Sequence, residues 1–156
     1  MTVQLWRIAV EAKAYSADDM SGAGAKITGG RWNSPGTAMV YASVNVALAV
    51  LETLSHVRSA GLPYNRFLVR IDVPPSVWAL RETLAHLPGG WDAVPSGLAS
   101  CKAGDAWIAA RRSPLLVVPS VIVPQEHNVL INPAHPETKK IGAVTVERWH
   151  YDPRFF

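Results

Sequence analysis

GGRWNSPGTAMVYASVNVALAVLETLSH, Gly29 to His56, passes from a glycine-marked turn through a short apolar strand and straight into a helix. Gly29, Gly30 and Ser34-Pro35-Gly36 are turn chemistry. Thr37–Ala42 reads as a strand. Ser43–Arg58 reads as a helix, with Ser43 or Asn45 as its N-cap and Gly61 just past its end. Ala47, Val50, Leu51, Leu54 and Val57 recur at helical spacing. Glu52 is the only acid in that helix, and His56 follows four residues later on the same face. The stretch poses a question about Arg31 and Trp32: they either brace a packed turn or clamp a flat anionic ligand.

Working outward, Gln4–Val10 reads as a first strand and Glu11 to Gly30 as a long loop. Phe67–Val73 alternates as a strand and ends at Pro74-Pro75. Trp78–Gly97 reads as irregular, Ala103–Arg111 as a short helix, and Leu115–Val123 as strand broken at Pro119. Gln125–Pro136 reads as loop, with Asn128 and Asn132 near its turns, and Ala143–His150 as a last strand. Strands outnumber helices without strict βαβ alternation, so the expected class is α+β on antiparallel or mixed sheet. The 156 residues fit one domain, 1–156, with no repeat or linker.

Composition narrows the function. The chain is 49% hydrophobic and 17% charged, the balance of a globular protein. No apolar run reaches the roughly 18 residues that cross a bilayer, and the start lacks a signal-peptide pattern, so a cytoplasmic address and no membrane partner are expected. Cys101 is the single cysteine, which excludes an internal disulfide and a multi-Cys zinc site. The five histidines never fall four residues apart, and no metal site is expected. Net charge is +3 and spread along the chain; Arg111-Arg112 and Lys139-Lys140 are the only adjacent basic pairs. Nucleic-acid modules usually cluster their charge on one face or arm, and this charge could serve a polyanionic partner or simply a phosphate-bearing small molecule.

Four polar residues stand in apolar surroundings. Glu52 is either on a solvated helix face or a carboxylate entering a cleft. Arg31 is either solvated or a fork of donors for phosphate. Tyr41 is either a core tyrosine or a flat wall for a planar ring. Ser120, in VVPSVIVP, either satisfies a backbone group or serves the site. Their order is a loop arginine, a tyrosine on the next strand, a glutamate in the following helix and a serine far downstream.

With that order, the sequence resembles the RES-domain family, named for its Arg, Glu and Ser positions. LWRIA, GGRWNSPGTAMVYAS, ALAVLETLSH, VPSVIVPQEHNVLINPAHP and YDPRFF carry the likeness; about Arg81 to Lys102 matches nothing. The resemblance implies a fold like that of ADP-ribosyltransferases and a toxin of a bacterial toxin–antitoxin pair. It implies breakdown of NAD by hydrolysis or phosphorolysis, with NAD as substrate, phosphate as a possible co-substrate and no resident cofactor. It also implies a helix-turn-helix antitoxin covering the active site, through which alone nucleic acid would be met. The family's residues fall on Arg31, Tyr41, Glu52 and Ser120 as catalytic positions. Arg31, Tyr41, Arg7 and Asn132 are the implied substrate contacts. Two other functions stay open: an ADP-ribosyltransferase acting on a protein, and an RNA-binding or RNA-cleaving toxin using stacked aromatics. A catalytically dead interaction domain is a third.

Overall fold

A computed structural model of the protein describes residues 1–57 and 63–156. In chain order its elements are β1 (Val3–Ala9), α1 (Ala23–Thr28), β2 (Val40–Ser43), α2 (Val46–Leu54), β3 (Phe67–Val73) and α3 (Pro75–Trp78). Then follow β4 (Glu82–Thr83), α4 (Leu98–Ala110), β5 (Leu115–Pro119), β6 (His127–Ile131) and β7 (Gly142–Arg148). Among the described residues the strands form one seven-stranded sheet in the order β4-β5-β6-β2-β1-β3-β7. Every pairing is antiparallel except β4 with β5. The chain is therefore a single α+β domain on a mixed sheet.

Strand alternation sorts the core onto two faces. On one face Leu5, Val40, Ala42, Val69, Ile71, Val129 and Ile131 form one continuous cluster across the sheet. The other face carries two separate clusters. One gathers Trp32, Met39, Trp107, Leu116, Val118 and Leu130 under α4. The other gathers Ile8, Ala49, Leu68 and Tyr151 under α2. The gap between these two clusters falls where β2 meets β1.

That junction is narrow. β1 pairs with β3 along its whole length, from Val3↔Val73 to Ala9↔Phe67. β2 pairs with β6 from Val40↔Ile131 to Ser43↔Asn128. Between β1 and β2 the register holds at one position, Trp6↔Ser43. Beyond it Arg7, Ile8, Ala9 and Val10 of one arm and Met39 and Tyr41 of the other line a cavity instead of a ladder. The sheet thus opens a cleft in its own middle.

Several elements differ from their sequence reading. His127–Ile131 is not a loop but an inner strand, whose Val129, Leu130 and Ile131 are fully buried. The flanking asparagines and Pro133 suggest turns, but partners on both sides supply the backbone hydrogen bonds a loop would seek from water. The stretch 11–30 contains α1, a short helix with no buried residue, which leaves no apolar period to read. α2 begins at Val46, where the Asn45 side chain accepts from the Leu48 N–H at 2.8 Å. Its expected end at Arg58, and Gly61 beyond it, lie outside the described residues. β5 stops at Pro119 as that proline suggests, and residues 120–123 turn away.

Candidate active site

Glu52 is presented by the second turn of α2, on the side that also buries Ala49 against the sheet. Its Oε1 accepts two hydrogen bonds of 2.7 Å, from Ser120 Oγ and from Asn128 Nδ2. Ser120 is fully buried just after β5, and its Oγ also accepts from the backbone N–H groups of Ile122 and Val123 at 3.1 Å each. Asn128 sits on β6 opposite Ser43 of β2, and Ser43 Oγ donates to Asn128 Oδ1 at 2.7 Å. The turn after β5 and strand β6 therefore converge on one oxygen of the α2 carboxylate, with β2 behind Asn128. Among the described residues Oε2 accepts no hydrogen bond.

The carboxylate opens into a cavity of about 190 Å³ lined by Arg7, Tyr41, Ser43, Glu52, His56 and Asn128, among others. A larger cavity of about 420 Å³ adjoins it, with Tyr15, Asp19 and Arg66 on its walls. Arg7, Ile8, Tyr41, Thr53 and His56 border both, so the two are lobes of one cleft.

Arg7 stands at the junction. One guanidinium nitrogen, Nη2, donates to the carbonyls of Ala17 and Asp19. Its Nε is buried and has no hydrogen-bond partner among the described residues. Burial lowers the guanidinium's pKa, while Asp19 and Asp18 push it back up. An arginine keeps its proton under such pressure, so the junction carries a fixed positive charge.

Tyr41 gives the cleft its ring and keeps its hydroxyl for the protein. The hydroxyl donates to Asn33 Oδ1 at 2.6 Å and accepts from the Trp32 backbone N–H at 3.0 Å. Burial is the largest cause raising its pKa far above the usual 10.0. It is not a proton-transfer group at neutral pH. Asn33 is fully buried, and its Nδ2 ties together the carbonyls of Ala25 and Thr37 at 2.9 Å each.

Two expected site residues lie elsewhere. Arg31 does not line either lobe. Its Nη1 donates to the carbonyls of Trp91 and Ala93 at 2.8 Å each, in the segment between β4 and α4. Trp32 stacks on Trp91 beside it, ring centroids 6.2 Å apart. Asn132 is also displaced from the cleft. It is fully buried, its Oδ1 accepts from Ala134 N, and its carbonyl accepts from Thr138 Oγ1, so it closes the turn after β6. A buried polar group must be satisfied where it lies, and this one is used up by its own turn and by the Ile108 carbonyl of α4, which accepts from its Nδ2 at 3.4 Å.

The loop of Gly29 to Gly36 is braced from α4. Cys101, Gly104 and Asp105 share one helix face. Cys101 Sγ donates to the Gly30 carbonyl at 3.2 Å, and Asp105 Oδ1 accepts from Ser34 N at 3.0 Å. Gly104 lies so close that a Cβ there would fall 1.7 Å from the Trp32 carbonyl oxygen.

Sequence reasoning passed over Asn128 and Ser43 as site groups, reading Asn128 as part of a loop and Ser43 as a candidate helix cap. The available signal was an asparagine preceding three consecutive apolar residues, which marks a polar position entering a buried strand. Among the described residues no cluster of three or more His, Cys, Asp or Glu is placed to hold a metal. No helix among them is long and apolar enough to cross a membrane.

The sequence has counterparts among known proteins. The RES domain model matches residues 4–153. A Sphingobium protein described as a Prs ADP-ribosylating toxin is 58% identical over 156 residues, covering 99% of this chain and 97% of its own. A protein of Photorhabdus laumondii described as Toxin Res is 40% identical over 119 residues, 76% of each chain. Another Toxin Res, from Yersinia enterocolitica, is 33% identical over 153 residues, covering 97% of this chain and 99% of its own. With a family match over nearly its whole length and relatives aligned end to end, this chain belongs to the RES-domain family.

Proposed function

We propose that the protein is a toxin that breaks the bond between nicotinamide and ribose in NAD. The observation that carries this reading is Glu52: one carboxylate, anchored through a single oxygen by two convergent donors, in a two-lobed cleft with a fixed cation at its waist.

The chemistry asks for little more. Nicotinamide leaves NAD as a neutral base, so its departure needs no general acid. A glycosidase with a poor leaving group uses two carboxylates; here one suffices. Positive charge develops on the ribose as the bond stretches, and a preorganised carboxylate stabilises it. The Glu52 lobe takes the nicotinamide ribose, with the Tyr41 ring as a wall. Arg7, at the waist, holds the pyrophosphate, and the larger lobe takes the adenosine end. The cleft volume fits a ligand of that size, in the range of roughly 300–1,000 Å³ typical of small-molecule sites. Arg31 serves indirectly, by holding residues 91–93 against the loop.

The ribosyl cation then needs an acceptor. Water or phosphate gives free ADP-ribose or its 1-phosphate, with cellular NAD depleted. A protein acceptor gives ADP-ribosylation, and the description of the 58% identical Sphingobium relative favours it. In either case a cognate helix-turn-helix antitoxin over the cleft keeps the toxin silent. The test is incubation of the purified protein with NAD labelled in the adenylate half, with and without phosphate and with and without bacterial extract. Nicotinamide release is the expected result in every arm; label on protein, on ADP-ribose or on its 1-phosphate identifies the acceptor. Intact NAD in all arms sinks the reading.

A further inference from the structure

We propose that Asn128, steered by Ser43, is a positioning residue that aims the free oxygen of Glu52 into the cleft. The inference rests on the reading of Glu52 as the group that faces the ribose.

The geometry is a three-residue relay. Ser43 Oγ donates to Asn128 Oδ1 at 2.7 Å, and Asn128 Nδ2 donates to Glu52 Oε1 at 2.7 Å. A hydroxyl has one proton, and Ser43 spends it on Oδ1. That leaves the amide NH₂ facing the carboxylate. The reverse amide would set two acceptors, Oδ1 and Oε1, against each other. Ser43 itself is buried, and cross-strand register places it directly opposite Asn128, so the relay's origin is fixed by the β2–β6 ladder.

The relay complements Ser120. A single hydrogen bond to Oε1 would leave the carboxylate free to swing about that contact. Two donors arriving from β6 and from the turn after β5 fix the carboxylate plane and reserve Oε2 for the cleft. Both bonds to an ionised carboxylate are charge-assisted, the stronger class. Asn128 also lines the smaller lobe, where loss of its side chain changes the site without opening a cavity in the apolar core.

The test uses Asn128→Ala, Ser43→Ala and the double variant in steady-state NAD turnover. For Asn128→Ala the expected result is a fall in kcat on the order of 10²-fold, the scale of a misplaced catalytic group, with KM changed by less than about threefold. Because Ser43 acts through Asn128, the double variant should be no slower than Asn128→Ala alone. A raised KM at unchanged kcat, or additive losses in the double variant, overturns the proposal. A second readout needs no turnover: the side-chain amide protons of Asn128, observed by NMR with ¹⁵N-labelled asparagine. One of them should be shifted downfield and protected from exchange, and Glu52→Ala should abolish both effects. An amide signal indifferent to Glu52 overturns the relay. If the wild type leaves NAD intact, the proposed function falls, and the NMR result decides the relay by itself.

Discussion

Ser120 and Glu52, 68 residues apart in the chain, meet in a 2.7 Å hydrogen bond between Oγ and Oε1. The serine is buried and its oxygen accepts two backbone N–H groups, so its proton is directed at the carboxylate. This contact joins the helix after β2 to the turn after β5. It makes the site a product of the whole sheet, and not of any one segment.

Replacing Glu52 by Gln keeps shape and removes charge. The Gln Oε1 can still accept from Ser120 and Asn128, so folding should be unaffected. NAD cleavage should fall on the order of 10²-fold or more, the scale of one preorganised electrostatic group. Nicotinamide release at the wild-type rate from a folded Glu52→Gln protein would show that another group carries the charge.

Tyr41→Phe strands two partners, Asn33 Oδ1 and the Trp32 N–H. Leaving buried polar groups unpaired should cost about 1–3 kcal/mol in denaturant unfolding. The pH dependence has a definite sign. The folded tyrosine resists ionisation, because burial raises its pKa, while the unfolded one ionises near 10.0. Its stabilising effect is complete below pH 10 and is lost as pH rises above it, because there the unfolded state binds fewer protons. Wild type should therefore lose stability above pH 10 more steeply than Tyr41→Phe; parallel alkaline unfolding curves would contradict this.

Arg31 and Arg7 should separate kinetically. Arg7→Met removes the cation at the waist of the cleft and should raise KM for NAD by about tenfold or more, as expected for lost charge-assisted hydrogen bonds worth roughly 1.5–3 kcal/mol. Arg31→Ala releases the Trp91 and Ala93 carbonyls instead. Limited proteolysis should then cut residues 88–97 faster, with a smaller rise in KM. Equal KM effects from the two variants would place Arg31 on the substrate.

Gly104→Ala would put a methyl group 1.7 Å from the Trp32 carbonyl oxygen. The obstacle is backbone, so α4 or the loop must move. Overpacking of this kind typically costs about 1–3 kcal/mol. A lowered midpoint in chemical denaturation is expected, and an unchanged one would mean that α4 does not seat on the loop this closely.

Local chemistry in the sequence accounts for much of what was legible. The alternation of Phe67–Val73 placed β3, the apolar period around Ala47–Leu54 placed α2, and Asn45 supplied its cap. Glu52 stood out because it is the only acid on that helix. Two features misled. Asn128, Asn132 and Pro133 spoke for a loop, and only partners on both sides made His127–Ile131 a strand. Arg31 beside a ring looked like an anion clamp, yet its acceptors lie some sixty residues away, in a segment with no local signal.

The sequence by itself determined the periodicities, the turn, the cap and the one exceptional carboxylate, because these depend on neighbours within a few residues. Tertiary structure decided the rest. Register set Asn128 against Ser43, the single β1–β2 pairing opened the cleft, and packing sent Arg31 to Trp91 while leaving Arg7 at the waist. Periodicity states which face a side chain takes; which partner waits on that face depends on strands brought together from distant parts of the chain.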